Sequence, residues 1–186
     1  MRALLLAAVL APYAVSEVSA MVMWRYLFDL DVGLATQLLT ALGLPALEWS
    51  INSLHELILV ALLSIWLHLP FTFVILYAAR LAIPNDLYEA AGVDGATAFQ
   101  KFRRITLPLL MPAMLIAMLF RYIFAFRLFS EVWLLTGGGP ARQTEVLAVY
   151  LYRDAYRTGD FGAAAATGWL MVVGTLLFAS VYLWFM

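Results

Sequence analysis

Four stretches of the chain are apolar over lengths that suit a membrane span, since a helix needs roughly 20 mostly apolar residues to cross the hydrocarbon core. They run from Ala3 to about Met23, from about Leu57 to Leu81 with Pro70 as an expected kink, from Leu107 to about Phe126, and from Ala163 to Met186. A segment in lipid satisfies its backbone polar groups internally. None shows the alternating pattern of a transmembrane barrel strand. The pattern therefore predicts an all-α, polytopic membrane protein with about four transmembrane helices in a single domain, residues 1–186.

The first stretch has a second interpretation, a cleavable signal peptide, because Arg2, an apolar run and a small residue at Ala20 follow that order. Against this, Pro12 interrupts the run, and hydrophobicity continues beyond Ala20. Aromatic residues follow at Trp24 and Tyr26, as at the interfacial end of a span. A span is favoured, and the signal peptide remains the alternative.

Composition supports lipid as the main solvent, since 65% of the residues are apolar and only 12% are charged. The net charge of −1 gives no indication of a nucleic-acid partner. The chain contains no cysteine, which excludes disulfides and thiolate metal sites. Its two histidines, His55 and His68, are too far apart in sequence to predict a metal site. We expect no metal, no cofactor and no catalytic residues in this chain.

Basic residues concentrate in the segment between the second and third spans, which holds Arg80, Lys101, Arg103 and Arg104. The segment from Trp24 to Glu56 holds one basic residue. The positive-inside rule therefore places the basic loop and both chain ends in the cytoplasm. Four arginines after the third span weaken this contrast. On the opposite side, helical spacing of apolar residues predicts one interfacial helix within residues 33–44 and a second short helix within 144–156.

The basic loop, residues 82–106, is also the most polar long stretch of the chain. Asn85 or Asp86 can cap a short helix after Pro84. Gly95 permits a bend, with Asp94 expected to bond nearby backbone amides. A second helical stretch follows, with Phe99 and Phe102 on one face. These features predict a helix–bend–helix hairpin suited to docking in a cleft of another protein. The alternative is a solvated connector whose charges only fix the topology.

The spacing within this hairpin resembles the EAA signature of membrane subunits of binding-protein-dependent ABC importers. The matching residues are Glu89, Ala90, Ala91, Gly95, Ile105, Leu107 and Pro108. Segments beginning at Trp24, Pro84 and Leu134 are similar to carbohydrate-importer permeases of the maltose and glycerol-phosphate type, and the resemblance extends over essentially the whole chain. Such permeases usually have at least six spans, and this chain begins where their third would begin. The resemblance thus implies a fragment, a mis-started reading frame or a shortened subunit.

The resemblance implies a type I importer permease fold in the cytoplasmic (inner) membrane of a prokaryote. It also implies three protein partners: cytoplasmic ABC ATPase subunits that bind the ATP, a second permease subunit, and an extracytoplasmic substrate-binding protein. In that family the EAA loop couples the ATPase to the spans. Glu89 would contact the ATPase, although it could instead only favour a helix N-terminus. Asp94 and Gly95 would shape the bend, and Pro108 would define the helix entry.

Polar residues inside the predicted spans are the other candidates, since ionisable groups in a membrane are costly and commonly functional. Glu17 and Arg121 are predicted at similar depth, which allows a salt bridge between the first and third spans. A structural pair, or snorkelling of Arg121, is the alternative to a role in the substrate path. Trp66 and His68 could line a sugar path, or could only pack near the Pro70 kink.

A run of three glycines and a proline, Gly137, Gly138, Gly139 and Pro140, does not form a phosphate-binding loop. Such a loop requires lysine and a hydroxyl residue directly after the glycines. The run predicts a tight bend on the outer face, near a docked binding protein. Two other functions remain open: a small membrane-embedded enzyme using Glu17, His68 and Arg121, and a membrane anchor that assembles with partners but transports nothing.

Overall fold

The computed structural model describes residues 2–185 and, within them, the side chains of residues 4–184. In that range the chain is helical and contains no β-strand. The α-helices are α1 (Arg2–Leu10), α2 (Glu17–Leu27), α3 (Leu34–Ala41), α4 (Ser53–Ala82), α5 (Asp86–Val93), α6 (Ala98–Lys101), α7 (Leu107–Phe126), α8 (Ser130–Leu135), α9 (Leu147–Arg153) and α10 (Phe161–Phe185). Short 3₁₀ turns occur at Ala11–Ala14 and Pro140–Arg142, and π-helical turns at Phe102–Thr106 and Asp154–Thr158.

Three of the predicted spans are confirmed as helices long and apolar enough to cross a membrane. They are α4, the continuous helix Ala98–Phe126, and α10. α4 continues through Pro70 without ending. The second of these helices begins before the predicted Leu107, because α6 and a π-helical turn join directly onto α7. Met186, the predicted end of the fourth span, lies outside the described residues.

The first predicted span is wrong as one continuous helix. Its two halves, Leu4–Ala14 and Glu17–Leu27, meet at an angle of 102°. The 3₁₀ turn that begins at Ala11 contains Pro12, which has no backbone N–H to donate, and Val15 is extended. Among the described residues there are therefore three continuous helices long and apolar enough to span a membrane, and a fourth span only if the bent pair counts as one.

The core lies where α2, α4 and α8 pack together. Met21, Leu59, Leu63 and Leu135 are fully or almost fully buried there. Asn52 caps the start of α4, because its side chain accepts a hydrogen bond from the Leu54 N–H at 3.0 Å. This bond satisfies a donor that has no partner within the helix. The core thereby holds the amino-terminal half of α4 in place.

Two other predicted elements are confirmed as helices. α3 lies inside the predicted segment 33–44 and leaves Leu34, Leu38 and Leu42 exposed, which agrees with its predicted apolar face. α9 lies inside 144–156, and a π-helical turn extends it to Thr158. The left-handed Gly159 then ends the helix.

Candidate functional site

The hairpin of residues 82–106, called here the EAA hairpin, bends where the sequence predicts. α5 ends in a Schellman motif, with hydrogen bonds from Ala96 N to Ala91 O at 2.9 Å and from Gly95 N to Gly92 O at 3.1 Å. Gly95 has a φ of +73° there, a conformation that residues with a Cβ adopt at a cost. The bend is therefore set by the backbone requirement for a glycine.

The two caps of the hairpin differ from the prediction. Asn85 is the N-cap of α5, but its side chain makes no capping hydrogen bond. The capping box lies instead on the second arm, where Thr97 Oγ1 accepts from Gln100 N at 3.3 Å and Gln100 Oε1 accepts from Thr97 N at 2.7 Å. The expected hydrogen bonds from backbone amides to the Asp94 side chain are not found among the described residues. The amino-terminal end of α6 is thus capped by side chains, whereas that of α5 is not.

The EAA hairpin presents its predicted small-residue surface. Glu89 and Ala90 are exposed, and Ala91 is half-buried. A cavity of about 360 Å³ separates the two arms and is lined in part by Ala91, Asp94, Lys101 and Ile105. Leu107 is half-buried and Pro108 is exposed at the start of α7. The hairpin therefore exposes the short side chain of Ala90 together with larger apolar side chains, among them Val93 and Phe99.

A second, larger cavity lies between the helices, with a volume of about 560 Å³. It is called here the polar cavity. Glu17 of α2, His68 of α4, Arg121 of α7 and Glu131 of α8 all line it, together with Arg127. Four helices that are distant in sequence therefore bring ionisable groups to one place. Aromatic side chains complete the wall: Tyr13, Phe71, Phe124 and Phe129.

A side-chain hydrogen bond in the polar cavity joins His68 and Glu131. His68 Nε2 lies 3.1 Å from Glu131 Oε1. The expected Glu17–Arg121 salt bridge is not formed, since neither residue has an ion-pair partner within residues 4–184. Nη1 of Arg121 is buried without a hydrogen-bond partner. Glu17 is exposed at the start of α2, just after the break at Val15.

Trp66 and His68 do not share a role in this arrangement. Trp66 packs against the hydrophobic core, with its ring centroid 5.9 Å from that of Trp24. His68, two residues further along α4, lines the polar cavity. Of this pair, only the histidine faces a space that a ligand could enter.

The predicted glycine bend is observed, and it covers a buried acid. Gly137, Gly138 and Gly139 all have positive φ, at 71°, 94° and 76°, before Pro140. A Cβ added at Gly139 would overlap Glu56 Oε2 and Thr144 Oγ1. Glu56 is fully buried, and neither carboxylate oxygen has a hydrogen-bond partner. The glycine thus allows the bend to lie directly on this side chain.

A sequence profile of the family described as "Binding-protein-dependent transport system inner membrane component" matches residues 2–186. The chain belongs to this family. It is therefore a component of a transport system rather than of an enzyme family, and its apolar helices make it a multi-pass membrane protein.

Several characterised or named members of the family resemble the chain over almost all its length. A trehalose/maltose transport system permease protein of Thermococcus litoralis is 36% identical over 98% of the chain. A diacetylchitobiose uptake system permease protein of Streptomyces coelicolor is 32% identical over 98%. The chain spans 61% and 57% of these relatives, respectively.

The fold agrees with a solved transporter of the same architecture. A chain of a bacterial ABC transporter involved in the import of the acidic polysaccharide alginate superposes with a TM-score of 0.87 at 24% identity. The match covers 97% of the present chain and 64% of that chain. The permease fold expected from the sequence is thereby confirmed.

Sequence reasoning missed two acids of these sites, Glu131 and Glu56. Glu131 follows the third span by five residues and was counted with the outer charges. Glu56 directly precedes the predicted second span. No local pattern predicts that α8 carries Glu131 back to His68, or that the glycine bend covers Glu56. Both placements depend on contacts between residues more than 60 positions apart.

Proposed function

We propose that the chain forms part of the membrane-spanning permease of an ATP-driven importer for a sugar or related polyol. The observation that carries this proposal is the family match over residues 2–186, together with carbohydrate permeases among the relatives. The chain spans about 60% of the length of those relatives, so its transport activity and its partners are part of what we propose.

In the proposed mechanism, ATP hydrolysis takes place on two separate cytoplasmic ABC ATPase subunits. Their closure displaces the EAA hairpin, whose exposed Glu89 and Ala90 fit a docking surface for a groove on the ATPase. A glutamate at the rim of such a contact favours a basic residue on the partner. Movement of the hairpin then changes which side of the membrane the helices leave open.

The polar cavity supports a place for this chain in the substrate path. Carbohydrates present many hydroxyl groups around an apolar ring, and sites for such ligands combine apolar walls with a few oriented polar groups. The cavity has aromatic walls with His68, Glu131 and Arg121 among them. A second permease subunit would supply the remaining wall, and an extracytoplasmic binding protein would deliver the sugar. The related alginate transporter was solved with a substrate-bound periplasmic protein, which favours that partner.

Reversing the charge of Glu89 tests the proposal. The full-length permease is co-expressed with the ABC ATPase, second permease and binding protein of its proposed transport system, and the complex is purified through the permease. We expect Glu89→Lys to reduce the recovered ATPase at least about tenfold, because like charges would meet across the contact. Uptake of radiolabelled maltose, trehalose or diacetylchitobiose by cells that carry the system should fall in parallel.

Glu48→Lys is the matched control, since Glu48 is an exposed acid in the loop before α4 and far along the chain from the hairpin. It should leave ATPase recovery unchanged. If wild-type permease retained no ATPase, or if both variants behaved alike, the proposed coupling would be rejected. A chain that retained its partners and transported nothing would instead be an anchor.

A further inference from the structure

Tyr88 connects the EAA hairpin to both neighbouring spans. It lies in the middle of α5 and is half-buried. Its hydroxyl is 2.8 Å from Oγ1 of Thr106, the last residue before α7. The guanidinium carbon of Arg80, in the last turn of α4, lies 4.3 Å from the centroid of the Tyr88 ring. One side chain therefore contacts the end of one span and the start of the next.

The rest of α5 lacks such contacts. Within residues 4–184, no other α5 side chain forms a hydrogen bond, ion pair or ring contact with α4 or α7. The helix begins without a side-chain cap and ends at Val93, and a Cβ at Gly95 just beyond its end would meet nothing within 4 Å. A force applied to α5 at Glu89 would thus reach the spans either through the backbone at the two ends of α5 or through the Tyr88 side chain.

The two contacts hold α5 in different ways. The hydroxyl–hydroxyl hydrogen bond is directional and fixes the distance from α5 to α7. The cation–π contact with Arg80 is attractive over a broader range of angles and keeps α5 against the end of α4. Thr106 lies in a π-helical turn, and such turns inside α-helices occur frequently at functional sites. Together the contacts limit both rotation and separation of α5.

We propose that Tyr88 is a positioning residue that transmits displacement of α5 to α4 and α7, through Arg80 and Thr106. This inference rests on the proposed function, because it requires an ATPase that moves the hairpin. Tyr88 contacts the spans rather than the ATPase, so its loss should leave the ATPase bound. ATP hydrolysis would then continue without movement of the spans.

The experiment uses the full-length permease in the assembled importer, reconstituted in liposomes with its ATPase, second permease and binding protein. Tyr88→Phe removes the hydrogen bond and keeps the ring, and Thr106→Val removes it from the other side. We expect each variant to retain the ATPase and to lower the ratio of sugar transported to ATP hydrolysed by about tenfold. The double variant should be no worse than either single one, because both remove the same bond. Tyr156→Phe, at an exposed tyrosine outside the hairpin, should leave the ratio unchanged.

A reversible cross-link between positions 88 and 106 distinguishes a role of Tyr88 in transmitting movement from a merely structural role. The chain contains no cysteine, so Tyr88→Cys/Thr106→Cys carries the only thiols of this subunit. A short bifunctional methanethiosulfonate joining them should restore the transport ratio, and dithiothreitol should abolish it again. Unchanged coupling in Tyr88→Phe, additive single variants, or loss of the ATPase from Tyr88→Phe would overturn the inference. Failure of the wild-type permease to retain any ATPase would reject the proposed function instead.

Discussion

The EAA hairpin and the glycine bend both turn the chain with glycines at positive φ, but their surroundings are opposite. Around Gly95 a Cβ would meet nothing within 4 Å. Around Gly139 it would overlap the buried side chains of Glu56 and Thr144. The hairpin is therefore shaped by its own backbone, whereas the bend is shaped by what it covers. The surface of the hairpin at Gly95 is thus open, whereas the glycine bend is closely packed.

The strongest test of this difference adds one methyl group at each glycine. Both residues have φ near +75°, but the ψ of 179° at Gly139 lies in a region essentially restricted to glycine, so alanine there carries a larger backbone penalty than the about 1–2 kcal/mol expected at Gly95. At Gly139 the overlap with Glu56 and Thr144 adds to it, and we expect a total loss of about 3–4 kcal/mol in the free energy of unfolding. Thermal unfolding of the purified chain in nanodiscs measures both. Equal losses for Gly139→Ala and Gly95→Ala would remove the distinction between the two turns.

A second test compares two acids beneath the glycine bend. Glu145 pairs with Arg142 at 2.7 Å and Arg153 at 2.9 Å, whereas Glu56 has no partner. A buried carboxylate without compensation is costly, so Glu56→Gln should stabilise the fold by about 1–2 kcal/mol. Glu145→Gln should destabilise it by a similar amount, because the arginines lose their counter-charge. Opposite shifts of the melting temperature are expected, and shifts of the same sign would contradict the assigned environments.

The smallest predicted effect lies within the hairpin. Thr97→Ala removes one half of the capping box with Gln100, which should weaken α6 by about 1 kcal/mol. Hydrogen exchange at the amide of Gln100 should become faster, while exchange in α4 stays unchanged. If α4 amides also exchanged faster, the hairpin and the helical core would be one cooperative unit rather than two.

The sequence predicts the parts of this protein that depend on neighbouring residues. Apolar runs predict α4, α7 and α10. The residues from Asn85 to Phe102 predict the hairpin with its bend at Gly95. The break after Pro12 was visible as an interruption, but its angle of 102° was not, because it depends on how α2 packs against α8.

Side-chain partners across the fold were predicted less well. Equal depth in the membrane suggested Glu17 for Arg121, and the structure pairs His68 with Glu131 instead. Depth fixes one coordinate of a residue, while pairing also requires that two helices present the same face to each other. The relative orientation of the helices depends on how they pack around Met21 and Leu135. The spacing of residues within one helix does not predict that packing.

The helix from Ala98 to Phe126 is unbroken, and this has a mechanical consequence. Thr106, beside Tyr88, and Arg121, on the wall of the polar cavity, are fifteen residues apart on one rod, a separation of about 22 Å. Tilting that rod by about 10° around Thr106 would carry Arg121 sideways by about 4 Å, which is more than the width of a water molecule. A small tilt of this helix would thus be enough to widen or narrow the polar cavity that Arg121 lines.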